Sequence, residues 1–186
     1  MTVFLLIVAV GLGVLLVMVL MPKNLKKIDG YPAELATEEP RNLLKELQVA
    51  LDPKNEVEKV ELTEAEINTY LNQRIGGKQG GALSFLVKYQ GVYADLEPGY
   101  AEFFVVRSVV GIPFTVSTKL TQKESGYTTV WRAGGGSIGR IQLGKKQFKP
   151  IVDAFLRMRI VLKDEIDAIK AMEKVEFGQD KVAIVR

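Results

Sequence analysis

From Val3 to Met21 the chain carries neither a charge nor a hydrogen-bonding side chain, and no other feature limits its fold as strongly. At ~1.5 Å per residue, a helix over this run is roughly 28 Å long, about the thickness of a bilayer's hydrocarbon core. A buried core helix seldom runs that far without a polar side chain. A secretory signal also sits at the start of a chain, but its apolar region usually covers ~7–15 residues and ends in small residues suited to cleavage. Here Val19, Leu20, Met21 and Pro22 close the run. The reading is therefore an uncleaved, single-pass transmembrane anchor over residues 1–22, in contact with a lipid bilayer. Gly11 and Gly13 stand two apart and do not form the small-xxx-small face that packs membrane helices together.

The rest of the 186-residue chain suits one domain large enough to bury a core. Hydrophobic residues make up 47% and charged residues 25%, which is a globular composition. There is no cysteine and no histidine. Disulfides, Cys/His metal sites, imidazole bases and Ser-His-Asp triads are thereby excluded. No cofactor is expected, and the expectation is a non-enzymatic protein. The net charge of +3 is divided between Lys23, Lys26 and Lys27 and the group Lys145, Lys146 and Lys149. It is too small and too dispersed for nucleic acid; acidic lipid headgroups are the more natural counter-surface.

Residues 23–61 are punctuated by Pro32, Pro40 and Pro53 and read as a linker with one short amphipathic helix, Arg41 to Leu51, whose Leu43, Leu44, Leu47 and Leu51 recur at helical spacing. Residues 62–186 form the main domain. Thr63 and Glu66 have capping-box spacing at the start of a helix that carries Ile67, Tyr70 and Leu71 on one face, and Glu64 is expected on its exposed first turn. After a flexible stretch from Gly76 to Gly81 the period changes to two. Strands are expected around Val92–Leu96, over Tyr100–Val110, Phe114–Thr121, Tyr127–Ala133 and Ile138–Leu143, with turns at Pro98–Gly99, Ile112–Pro113 and Glu124–Gly126. Helical spacing returns from Phe148 to Met172, with a break near Ile160–Leu162, and a hairpin closes the chain. The fold class is α+β: an N-terminal transmembrane helix, then an antiparallel meander packed on a long helix.

Three local patterns suggest chemistry. Gly134, Gly136 and Gly139 match GxGxxG, but they lie between strands with no βαβ unit around them, so a glycine-rich connection or bulge is expected in place of a dinucleotide site. Asp164, Glu165 and Asp167 form an acidic knot without metal-loop spacing, expected on a solvated helix face. Trp131 sits alone in a strand and is expected to pack in the core.

The helix opening at Leu62–Gln73 (LTEAEINTYLNQ), the meander, the strand Ile138–Leu143 (IGRIQL), a further helix and a closing hairpin follow one another behind a membrane helix. In that order of elements the chain resembles small bacterial YpmS-like membrane-anchored proteins and, more remotely, the TULIP lipid-binding superfamily. The resemblance covers most of residues 62–186. It implies a curved sheet wrapped on a helix, an apolar groove able to hold acyl chains, and an extracytoplasmic domain. Phe104, Val106, Phe114, Val116 and Leu120 are the apolar residues expected to line such a groove, although a closed core would use them equally well. The expected function is lipid binding or lipid handling at a membrane; the alternative is a structural or assembly subunit of a larger membrane protein complex. Sidedness is drawn two ways. Lys23, Lys26 and Lys27 directly after the span favour a cytoplasmic domain by the positive-inside rule, and the resemblance favours an external one.

Overall fold

The computed structural model describes residues 1–32, 41–75, 87–125, 128–144, 146–147 and 152–186, without the side chains of 87, 122–125, 128–131, 152–154, 156 and 157. The expected flexible stretch at Gly76–Gly81, together with Gly126, Tyr127, Lys145, Phe148, Lys149 and Ile151, lies outside the described residues, as does the packing of Trp131.

The apolar run forms helix α1, Thr2–Leu20, and none of its residues is buried. A helix of this length and composition, exposed along all but its last turn, has the character of a membrane anchor or a signal sequence. The remaining elements are α2 (Leu43–Leu51), β1 (Lys59–Thr63), α3 (Glu64–Ile75), β2 (Val87–Glu97), β3 (Tyr100–Val109), β4 (Ile112–Ser125), β5 (Thr128–Ile138), β6 (Ile141–Leu143), α4 (Val152–Val161), α5 (Lys163–Ala171), β7 (Lys174–Gly178) and β8 (Lys181–Val185). The fold is α+β, with a five-stranded antiparallel meander in the order β2-β3-β4-β5-β6 and a second sheet in the order β1-β8-β7.

Several boundaries follow directly from local chemistry. The side chain of Asn42 caps α2 by accepting from the Lys45 amide. At α3, Thr63 Oγ1 accepts from Glu66 N (3.3 Å) and Glu66 Oε2 accepts from Thr63 N (2.8 Å), which is the expected capping box. Pro98 and Gly99 make the two-residue turn between β2 and β3, with Gly99 at φ +82°. The break in the last helical stretch falls at Leu162, so the expected long helix is two short ones, α4 and α5.

Of two sequence expectations in this region, the bulge at the glycines holds and the unbroken strand after them does not. Residues Gly134–Gly136 belong to β5 itself, and the β4–β5 register shifts between Lys119 and Leu120, so the glycines form a bulge inside a strand. The expected strand Ile138–Leu143 is divided by a turn at Gly139–Arg140, because β5 ends at Ile138 and β6 pairs back on it.

The main core gathers Leu43, Leu47 and Ala50 of α2, Val60 and Leu62 of β1, Leu71 and Ile75 of α3, Val92, Ala94 and Leu96 of β2, Ala168 of α5 and Ile184 of β8. A smaller core on the opposite face of the meander joins Leu25 and Ile28 to Tyr93, Phe104 and Val106, with Tyr31 packed against it. The segment read from sequence as a linker, 23–61, thus supplies apolar side chains to both cores and an edge strand to the second sheet.

Candidate functional site

The five expected groove residues do not share a face. Phe104 pairs with Ser117 and Val106 with Thr115, whereas Phe114 pairs with Arg107, Val116 with Val105 and Leu120 with Ala101. Side chains alternate along a strand and directly opposed residues point the same way. Phe104 and Val106 therefore lie on one face, where Leu25 and Ile28 cover them and leave them buried. Phe114, Val116 and Leu120 lie on the other face, beside Ala101 and Val105 of the main core, and stay half-buried. Among the described residues, only these three of the five form one apolar strip.

A polar stripe on α3 closes the outer edge of β2. Asn68 Nδ2 donates to Ala94 O (3.0 Å) and Asp29 O (2.7 Å), and Asn68 Oδ1 accepts from Ala94 N (2.6 Å). One turn on, Asn72 Nδ2 donates to Val92 O (2.6 Å) and its Oδ1 accepts from Val92 N (2.9 Å). One turn back, Glu64 Oε2 accepts from Leu96 N (2.6 Å) and Oε1 from Asp29 N (2.7 Å). The match is geometric: four helical residues rise ~6.0 Å and two strand residues ~6.6–6.8 Å, so Glu64, Asn68 and Asn72 meet Leu96, Ala94 and Val92 in step. The loop between β7 and β8 completes the edge, with Asp180 N donating to Leu96 O and Glu64 N donating to Asp180 O. Glu64 is buried, contrary to the exposed first-turn position expected from sequence. Burial pushes its carboxyl above the usual carboxylate range, and the amides of Leu96 and Asp29 pull it back only in part. With both oxygens held by backbone amides it serves as an acceptor for the fold.

The acidic knot also divides. Asp164 and Asp167 are exposed, but Glu165 is buried, which corrects the expected solvated face. Its Oε1 accepts from Tyr70 Oη (2.6 Å) and from Arg74 Nε (2.8 Å). Burial raises the Glu165 carboxyl, but the Tyr70 hydroxyl, its own backbone amide and Arg74 outweigh it and hold the group below its ordinary value. Burial, with the adjacent carboxylate, pushes the Tyr70 phenol up. Arg41 spans Glu46 and Glu66 nearby. Arg41, Asn42, Leu44, Tyr70, Gln73 and Arg74 line a polar cleft of about 310 Å³. Each charged head in it is already neutralised by a partner, and among the described residues no group of three or more acidic side chains is arranged to hold a metal.

The third constellation lies where α1 meets the sheet. Arg140 N donates to Met18 O (3.0 Å), Gly139 N donates to Thr115 O (2.7 Å) and Lys23 N donates to Thr115 Oγ1 (3.0 Å). Gly139 has φ +54°, and a Cβ there would run into the carbonyl oxygens of Val19, Met18 and Met21. Glycine is required by the close approach of the helix end. Beneath it, Lys23 Nζ reaches Glu102 Oε1 (2.8 Å) and stands 4.9 Å from the Phe104 ring centre. Ser117 Oγ donates to the same Glu102 oxygen (2.5 Å) and lies 2.7 Å from Ser137 Oγ. Both serines are fully buried. A serine near a lysine suggests a nucleophile, but here the hydroxyl donates to a carboxylate inside the sheet, with no exposed surface for a substrate.

Comparison with family models, curated proteins and solved structures gave no match.

Sequence reasoning found Thr63 and Glu66 and missed the other polar partners. The signal for the α3 stripe was present: Glu64, Asn68 and Asn72 recur every four residues on a helix, and asparagine is a poor helix former without a partner. The signal for Glu165 was its phase with Ala168 and Met172, three and seven residues on, which are buried.

Proposed function

We propose that this chain is a single-pass, membrane-anchored, non-enzymatic protein whose domain works on lipid at the bilayer surface. The observation that carries the reading is the joint between α1 and the sheet. An apolar helix with no buried residue leaves the domain through hydrogen bonds at Met18 and Lys23 and through a glycine its last turn requires. The resemblance of its order of elements to YpmS-like and, more remotely, TULIP proteins supports lipid handling and an extracytoplasmic domain. The half-buried strip Phe114, Val116 and Leu120 is the part of the expected groove available to it.

Two measurements test this. Mass analysis of the membrane-extracted chain should find Met1–Arg186 intact, resistant to alkaline carbonate; a mature chain lacking α1 would make the helix a signal sequence. Photoactivatable lipids in nanodiscs should crosslink to residues on β4 as well as to α1, and crosslinks confined to α1 would remove the lipid-handling role. Sidedness is read by an impermeant maleimide on Gln179→Cys, at the exposed loop between β7 and β8 in a chain with no native thiol. Labelling of intact cells supports an external domain, and labelling only after lysis places it inside.

A structural or assembly subunit is the second reading. It is favoured by the division of the five apolar residues between two faces, which leaves no common groove for a ligand among the described residues. Crosslinking in intact membranes that captures a stoichiometric protein partner would select it.

A further inference from the structure

Outside α1, the large apolar side chains with the greatest exposure include Val110 at 74% and Ile112 at 50%, and these two stand at one tight turn. The turn joins β3 to β4 through Val110 and Gly111, both at positive φ (+51° and +83°). A two-residue hairpin with positive φ at both positions favours Asn, Asp or Gly. A β-branched residue there is a true conformational outlier, which is grounds for asking what the position does. Neither solubility nor turn chemistry accounts for valine at that place.

The location answers the question. In the meander, the β3–β4 turn and the Gly139–Arg140 turn lie at the same end of the sheet, since Ile138 pairs with Val116 and Ile112 pairs with Val109. That is the end where α1 docks, through Met18, Gly139 and Thr115. Ile112 is three residues beyond Thr115, so the tip reaches roughly 10 Å past the level of the helix end at ~3.3 Å per strand residue. A headgroup layer is ~5–8 Å deep on each side of the hydrocarbon core, so a reach of this length crosses it. The surrounding charge agrees. Lys88, opposite Ser108 near the tip, is exposed, as are Arg140, Lys26 and Lys27. Between Glu102 and Asp153 the sequence has a single acidic residue, Glu124, at the far end of β4.

We infer that the β3–β4 hairpin tip, with Val110 and Ile112 at its apex, inserts into the interfacial layer of the same bilayer that α1 enters and gives the domain a second membrane contact. The inference rests on the reading of α1 as an anchor. Anionic headgroups surround the tip and meet Lys88 and Arg140.

The full chain carrying Ile112→Cys, labelled with an environment-sensitive fluorophore, tests it in nanodiscs containing acyl-chain spin-labelled lipid, with and without phosphatidylglycerol. Leu12→Cys in α1 and Gln179→Cys at the distal loop are the references. The expected result is blue-shifted, quenched emission at positions 12 and 112, strengthened at 112 by phosphatidylglycerol, and unquenched emission at 179. Adding Val110→Asn should reduce quenching at 112 while leaving the unfolding temperature equal or higher, because asparagine accepts the positive φ. Quenching at 12 with water-like emission at 112 overturns the inference and leaves the anchor standing. A blue shift at 112 without lipid quenching means that protein covers the tip, and overturns it too. No quenching at 12 removes the anchor reading, and the inference falls with it.

Discussion

Replacing Asn68 with alanine should be among the most damaging substitutions in the domain. The side chain is fully buried and holds three backbone groups: the amide and carbonyl of Ala94 and the carbonyl of Asp29. Each buried group left without a partner costs about 1–3 kcal/mol, which bounds the loss at roughly 3–9 kcal/mol. Water admitted to the vacated space restores part of this, so the expected loss is ~3–5 kcal/mol. Asn72 makes the equivalent pair of bonds to Val92 but is only half-buried, and solvent can replace it there. Asn72→Ala should therefore cost less, about 1–2 kcal/mol. Urea titration of the full chain in a mild detergent, followed by tryptophan emission, measures both. A loss under ~1 kcal/mol at Asn68, or equal losses at the two positions, would refute the view that α3 substitutes for a missing strand partner.

Three further outcomes follow from the same geometry. Thr63→Ala should cost ~0.5–2 kcal/mol by removing the hydroxyl that accepts from Glu66 N, read by the same titration. Glu64 has a carboxyl raised above its ordinary 4.5 by burial, so its contribution to stability is greatest below that pH and is lost as pH rises through the folded-state value. The stability advantage of the native chain over Glu64→Gln should accordingly shrink on going from acid toward neutral pH, and an advantage that grows over that range would contradict the burial. Gly139→Ala should loosen the joint between α1 and the sheet at a cost of ~1–3 kcal/mol, detected as faster hydrogen exchange at the Arg140 amide; unchanged protection there would refute the close approach.

What the sequence disclosed was whatever depends on neighbours along the chain. The apolar run, the Thr63–Glu66 box, the Pro98–Gly99 turn and the break at Leu162 all depend on residues within a turn or two of one another, and all are present. What it concealed depends on pairing between elements. Phe104 and Phe114 look alike in alternation, but a two-residue turn pairs each even-numbered residue of β3 with an odd-numbered one of β4, so the two phenylalanines point to opposite faces. The burial of Glu64 needed knowledge of which strand edge would lie beside α3, and a helical window carries none. The hairpin apex was hidden because Val109, Val110 and Ile112 continue an apolar run in which Gly111 is the one turn-type residue, and Pro113 just beyond shifted the expected bend to Ile112–Pro113.

If α1 tethers the chain in a bilayer, copies are confined to a plane, share one orientation and meet repeatedly along their flanks. Under that confinement an open strand edge would be a standing template for lateral polymerisation. The side chains of Glu64, Asn68 and Asn72 occupy outward hydrogen-bonding groups of Val92, Ala94 and Leu96, the half of β2 that lies beside α3, and at the other margin of the meander β6 spans only Ile141–Leu143. Along these margins of the meander, tethered copies can touch flank to flank without adding a strand to one another.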